Sequence, residues 1–175
     1  MWNHRKMTRN SDGLKVAARS GTAAHSRLDA TDVAIIEALQ HNGRLGISEL
    51  GRKIGLSQPA TSERVKRLEE CGIIAGYSAR IDLAALGLNM MAVIRLKTTH
   101  EFIQPCLKQF AAMPQVIEVL RLTGEDCFLL KVVVPAPSEL EALVDSIAKY
   151  GAVTTSLVLR SEPVKPIGRA LVRRA

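Results

Sequence analysis

Apolar positions recur at helical spacing from Leu28 to Gly72 and then change to strand-like runs, so the chain reads as two parts of different construction. Residues 1–27 show no sustained period and are expected to form an unstructured arm, apart from nascent helix around 14–19. Order is expected from Leu28. Asp29-Ala-Thr-Asp32 has the spacing of a capping box, and Val33, Ile36 and Leu39 give the first helix its apolar side, with Gly43 as its stop. A second, short helix follows Gly46, with Glu49 in its first turn and Leu50 and Ile54 facing inward. Gly55-Leu56-Ser57 reads as a tight turn. Ser57 is expected to cap a third helix over about 58–70, in whose first turn Pro59 is harmless. Val65 and Leu68 point that helix back to the core, and Gly72 ends it. Residues 73–81 read as strands turning near Gly76, the position of a wing, and 82–88 as a linker.

From Asn89 the order becomes strand (90–97), helix (101–113, closed by Pro114), strand (116–122), strand (127–134), helix (138–150, stopped by Gly151) and strand (153–160). That βαββαβ succession predicts a ferredoxin-like unit over 89–165, followed by a partly mobile tail at 166–175. The predicted fold class is therefore α+β: an N-terminal winged helix-turn-helix over 28–81 and a C-terminal βαββαβ domain.

Charge sharpens this division. The net +7 is unevenly spread: six Lys/Arg against one Asp in 1–27, seven against eight in 28–82, and eleven against eight in 83–175. The excess lies largely in the arm, which suits non-specific attraction to phosphate and specifies no fold. Aromatics are 3% of residues, too few for a platform that stacks single-stranded bases. Cys71, Cys106 and Cys127 have no Cys-x-x-Cys spacing, which points to reduced intracellular thiols and to neither a zinc site nor a disulfide framework. No apolar run approaches the roughly 18–20 residues that cross a membrane, and the charged N-terminus lacks the apolar core of a secretory signal. A cytoplasmic, nucleoid-associated location is expected, without membrane partners.

The third helix carries the candidate chemistry. A Gly-containing turn between two helices allows the second to enter a major groove of double-stranded DNA. Ser57, Gln58, Thr61 and Ser62 crowd its first turns, where short polar groups can meet base edges and phosphates. Arg64, Lys66 and Arg67 add positive charge, with Arg64 read as sharing an exposed face with Thr61. Glu63 is expected to point sideways. Arg44 and Arg80 are weaker candidates for backbone contacts. The competing reading is a solvated face in which Arg64, Lys66 and Arg67 pair with Glu63, Glu69 and Glu70. The Ser cap, the three helices and the following wing weigh together for DNA.

Leu28-Asp-Ala-Thr-Asp32, Asn42-Gly-Arg44, Glu49-Leu50, Gly55-Leu-Ser57, Glu63-Arg-Val-Lys-Arg-Leu-Glu69 and Gly72-Ile-Ile-Ala-Gly-Tyr77 resemble the Lrp/AsnC (leucine-responsive regulator/asparagine-operon regulator) family of transcriptional regulators. The resemblance runs from about Leu28 to Lys165 and implies a helix-turn-helix proper over about 47–66. It also implies that the second half dimerises through its sheet, often assembles to octamers, and binds an amino acid or similar small effector between subunits. The implied effector loop is Thr123-Gly124-Glu125-Asp126: Gly124 permits positive φ and close approach, and Glu125 or Asp126 can hold an ammonium. The same four residues are also ordinary turn composition. Many family members carry an aromatic and then Asp after the loop's acidic residue. This chain has Asp126 and then Cys127, so the effector's identity does not carry over. Cys127 reads as a small strand residue in preference to a thiol sensor.

Some relatives of this fold are tetrapyrrole decarboxylases that use His and Arg. His4, His25, His41 and His100 are dispersed and show no nucleophile pairing or metal spacing, so no catalytic residue, metal or cofactor is assigned. A sensor or oligomerisation module without DNA binding is the third alternative. The polar, basic third helix argues against both.

Overall fold

The computed structural model describes residues 28–172; the basic arm expected at 1–27 lies outside the described residues. Two compact units are present, one built from 28–80 together with 163–172, the other from 81–162.

The first unit holds three helices, α1 (Ala30–His41), α2 (Ile47–Ile54) and α3 (Gln58–Glu70). α1 starts as expected: Asp29 accepts from the backbone N–H of Thr31 and Asp32, and the Asp32 carboxylate accepts in return from the Asp29 N–H. Ile35, Leu45, Leu50, Val65 and Leu68 make the core, with Ile36, Leu39, Ile54 and Ile74 packed around it. Burying five such side chains is the main stabilising contribution in so small a unit, at roughly 1.5–3 kcal/mol each. Gly55 adopts φ 74°, the left-handed conformation that ends α2 and turns the chain into α3. Gly51 serves a different need. A Cβ there would lie 2.8 Å from both the Leu56 carbonyl oxygen and the Thr61 Oγ1, so only glycine lets α2 and α3 approach this closely.

Two local expectations fail here. Ser57 is the N-cap of α3, but its side chain makes no capping hydrogen bond. Its carbonyl instead accepts from the Thr61 N–H and the Thr61 hydroxyl, at 2.9 and 2.8 Å. The strands and wing expected over 73–81 are absent. Ile73 and Ile74 both donate to the Leu68 carbonyl, which pins the segment's start to the end of α3. The residues after them are exposed and belong to no strand. An isolated two-stranded ribbon is at best marginal in water, so β-branched composition alone does not make one.

Residues 163–172, for which the sequence predicts no element, belong to this helical unit. The Gln40 side-chain amide clasps the Ile167 backbone, donating to its carbonyl at 2.9 Å and accepting from its N–H at 2.8 Å. The Arg169 N–H donates to Glu37 at 3.1 Å, and Val172 approaches Leu28 and Val33.

The second unit has β1 (Met90–Lys97), α4 (Ile103–Ala112), β2 (Val116–Arg121), β3 (Phe128–Val134), α5 (Pro137–Ala148) and β4 (Ala152–Leu157). The sheet is antiparallel in the order β2-β3-β1-β4, the arrangement expected of a split βαββαβ unit. Alternation sorts the side chains. Ala92, Ile94, Leu96, Phe128, Leu130, Val132 and Val134 form one core with Cys106 and Phe110 of α4 and Leu143 and Ile147 of α5. Phe110 and Phe128 meet edge to face at 5.3 Å. The opposite sheet face carries Met91, Val93, Leu120 and Leu129 among Arg95, Lys97, Glu118 and Lys131, and no helix covers it within the described residues.

Candidate nucleic-acid interface and effector loop

Three of the 13 α3 positions are spent on packing: Thr61, Val65 and Leu68 are buried, and the remaining positions face outward or sideways. This corrects one assignment. Thr61 is 0% exposed, its hydroxyl spent on the Ser57 carbonyl beside Gly51, so it cannot present a polar group to a base. Ser57, Gln58 and Ser62 are exposed, and Ser48 of α2 donates to the Gln58 Oε1 at 3.0 Å, linking the two helices at their outer edge.

The arginines have partners that the sequence reading did not pair with them. Asp32, itself 0% exposed, accepts from Arg64 at 2.8 Å and from Arg67 at 2.7 Å through both of its oxygens. Arg64 also bridges to Asp29 at 2.7 Å. Their side chains remain 29% and 46% exposed. The carboxyl of Asp29 is held below its ordinary range by the N–H of Asp32 above all; burial opposes this, and Arg64 and the N–H of Thr31 add to the lowering. The Arg64 guanidinium is correspondingly favoured in its charged form by Asp29 and Asp32. The expected intrahelical pairing is realised only between Lys66 and Glu70, at 3.6 Å, a weak exposed pair. Arg44 and Arg80 are exposed, and their side chains have no partner among the described residues. Tyr77 donates to Glu69 at 2.9 Å, and its hydroxyl pKa is pushed up to about 12 by burial and by that carboxylate.

Glu63 was expected to point sideways. With 100° per residue it lies with Pro59, Lys66 and Glu70 opposite Thr61, Val65 and Leu68, on the outermost line of α3.

In the second unit, Thr123, Gly124 and Glu125 are exposed and Asp126 half-buried, with Gly124 at φ 111°. Both loop carboxylates meet cations from the outward positions of β1. Lys97 donates to Glu125 at 2.6 Å, and Arg95 lies 3.4 Å from Asp126. Hydrogen bonding between Lys97 and Glu125 raises the lysine pKa and lowers that of the glutamate. Arg95 and Lys97 were not singled out from sequence, although the period-2 alternation of β1 would have put both on one face. The Cys127 thiol donates to the Thr98 carbonyl at 3.1 Å, and the Cys106 thiol is pushed up in pKa by burial. Among the described residues no group of His, Cys, Asp and Glu is arranged to hold a metal ion, and no helix is long and apolar enough to cross a membrane.

A three-helix unit with its third helix presented on an α2–α3 turn, in one chain with a βαββαβ domain, is the build of a two-domain helix-turn-helix protein. Residues 28–69 match the AsnC-type helix-turn-helix domain and residues 91–165 the Lrp/AsnC ligand binding domain. The chain is 38% identical over 143 residues to the HTH-type transcriptional regulator YezC of Bacillus subtilis, covering 79% of this chain and 99% of that protein. The solved structure of LrpC from the same organism superposes with a TM-score of 0.74 at 30% identity, over 79% of this chain and 99% of LrpC. A transcriptional regulator of Neisseria meningitidis, solved as a complex with L-Met, superposes at 0.77 with 26% identity, over 83% and 99% of the two chains. This chain belongs to the Lrp/AsnC family of transcriptional regulators. It is a DNA-binding transcriptional regulator of that type.

Proposed function

We propose that the chain binds DNA sequence-specifically as a homodimer or higher assembly, and that an amino acid or closely related zwitterion held at residues 123–126 sets how it binds. The observation that carries the effector reading is the double pairing at the loop, Lys97 with Glu125 and Arg95 with Asp126. A zwitterion can exchange with such pairs at little cost. Its carboxylate takes the cation of one pair and its ammonium the carboxylate, so no charge is left unpartnered. Exposed amides around Gly124 add donors for the carboxylate. The L-Met bound in the Neisseria regulator makes methionine a natural first ligand to try.

The sheet face bearing Met91, Val93, Leu120 and Leu129 is the surface for self-association. A dimer then offers two α3 helices to successive major grooves about 34 Å apart, on an imperfect palindrome. Ser57, Gln58, Ser62 and Lys66 lie at the groove, and Arg44 and Arg80 at phosphates. An effector coupling of about 1–3 kcal/mol changes apparent DNA affinity by 5–150-fold.

The test is calorimetric titration of the full chain with a panel of amino acids, paired with mapping of its bound genomic sites with and without each. Saturable binding that Gly124→Val abolishes, together with sites that shift or change occupancy, is the expected result. Binding unaffected by Gly124→Val means that residues 123–126 form only a turn.

A further inference from the structure

We infer that Glu63 is a sequence-determining residue of the recognition helix, its carboxylate accepting from the N4 amino group of a cytosine in the major groove, while Arg64 and Arg67 are positioning residues. The inference rests on the reading of α3 as the DNA-entering helix.

The case begins with what surrounds Glu63 on its own helix. A glutamate is ordinarily neutralised by cations three and four residues later, here Lys66 and Arg67. Neither is paired with Glu63: Arg67 is held through both oxygens of Asp32, and Lys66 makes only its weak, exposed pair with Glu70. Arg64, the next cation along, is held by Asp29 and Asp32. Glu69, by contrast, is engaged by Tyr77 and Gln58 by Ser48. Among the described residues, Ser62 and Glu63 are the polar side chains of α3 left without a hydrogen-bond or ion-pair partner. Glu63 is also centred on the exposed line of Pro59, Lys66 and Glu70, in the second turn of a helix whose N-terminal half enters the groove.

An unpaired carboxylate there repels phosphate and weakens attraction to any duplex. It therefore contributes through discrimination: it accepts from cytosine N4 and meets only acceptors on guanine. The arginines that would otherwise dominate such a surface are drawn back onto the α1 N-terminus. They stiffen the α1–α3 angle and leave the reading to shorter groups.

The test is selection from a random duplex pool by the full-length wild type, E63A and E63Q, followed by affinity measurements on the selected site and its single-base variants. The wild type should enrich cytosine at one position per half-site. E63A should lose about 5- to 150-fold of discrimination at that position alone, and its affinity for random DNA should rise. E63Q should move the preference toward adenine, whose N6 and N7 a glutamine amide matches, a change that a merely structural role would not produce. R67K should keep the wild-type sequence preference. Variants at Glu63 that select the wild-type sequence unchanged, or lose affinity evenly across all positions, overturn the inference while leaving the regulator reading intact. A wild type that enriches no sequence removes the reading on which the inference rests.

Discussion

Removing the Asp32 carboxylate should loosen the helical unit and leave the sheet unit untouched. In Asp32→Ala three acceptor functions vanish at once: the reciprocal bond to the Asp29 N–H, the bond to Arg64 at 2.8 Å and the two-oxygen pairing with Arg67 at 2.7 Å. Hydrogen bonds to charged groups contribute about 1.5–3 kcal/mol each, and a helix cap about 1 kcal/mol. Against that sum stand two offsets. Arg64 keeps Asp29, and Arg67, 46% exposed, regains water. The variant also escapes the cost of desolvating a fully buried carboxylate. The balance is a loss of about 2–4 kcal/mol, and Asp32→Asn, which keeps one acceptor oxygen, should lose roughly half of that. Native-state hydrogen exchange at the amides of Val33 and Val65 reads this locally, with the amides of Ile94 and Leu130 as an internal reference. A double-mutant cycle of Asp32→Ala with Arg67→Ala should return a coupling of about 1–3 kcal/mol. Coupling below about 0.5 kcal/mol would refute the reasoning, because the two charges would then be neighbours without being partners.

Acid should act through the same place. Asp29 has its carboxyl depressed in the folded chain, so its contribution is complete above the ordinary carboxylate value of about 3.9 and is lost as pH falls through the lower folded value. Far-UV circular dichroism against pH should show the helical unit weakening below about pH 4, with a shallower dependence in Asp29→Asn; identical profiles would remove Asp29 from the account. Gly51→Ala should cost about 1–3 kcal/mol, because its Cβ would press on the Leu56 carbonyl, a backbone atom that cannot swing away. Thermal denaturation that leaves the helical transition in place would show that α2 can shift aside.

Much of this was legible along the chain, for identifiable reasons. The limits of α3 follow from Pro59 and Gly72, and β1 from an apolar run between Asn89 and Thr98 that ends in the alternation Ile94-Arg95-Leu96-Lys97. The capping box of α1 was legible because its two carboxylates are three residues apart. What escaped was set by groups distant in sequence. Arg67 has three glutamates on its own helix, yet its partner lies 35 residues away. Thr61 looks polar and outward-facing until Gly51 is seen to leave room for it underneath. The segment at 73–81 has strand composition but no neighbour to pair with, and composition does not report neighbours. Arg95 and Lys97 joined the loop at 123–126 only when the β1–β3 register placed them beside it.

The clasp of Gln40 on Ile167 carries a consequence for how the chain is divided. The DNA-binding unit is discontinuous: its last residues are translated only after the whole sheet unit has been made. On the ribosome the clasp on α1 can form only after the sheet unit has been made, and a fragment ending at residue 80 would leave Gln40 and Glu37 without these backbone partners. Substitutions at Ile167 or Arg169 therefore belong with mutations of the reading head, although these residues follow the whole sheet unit in sequence.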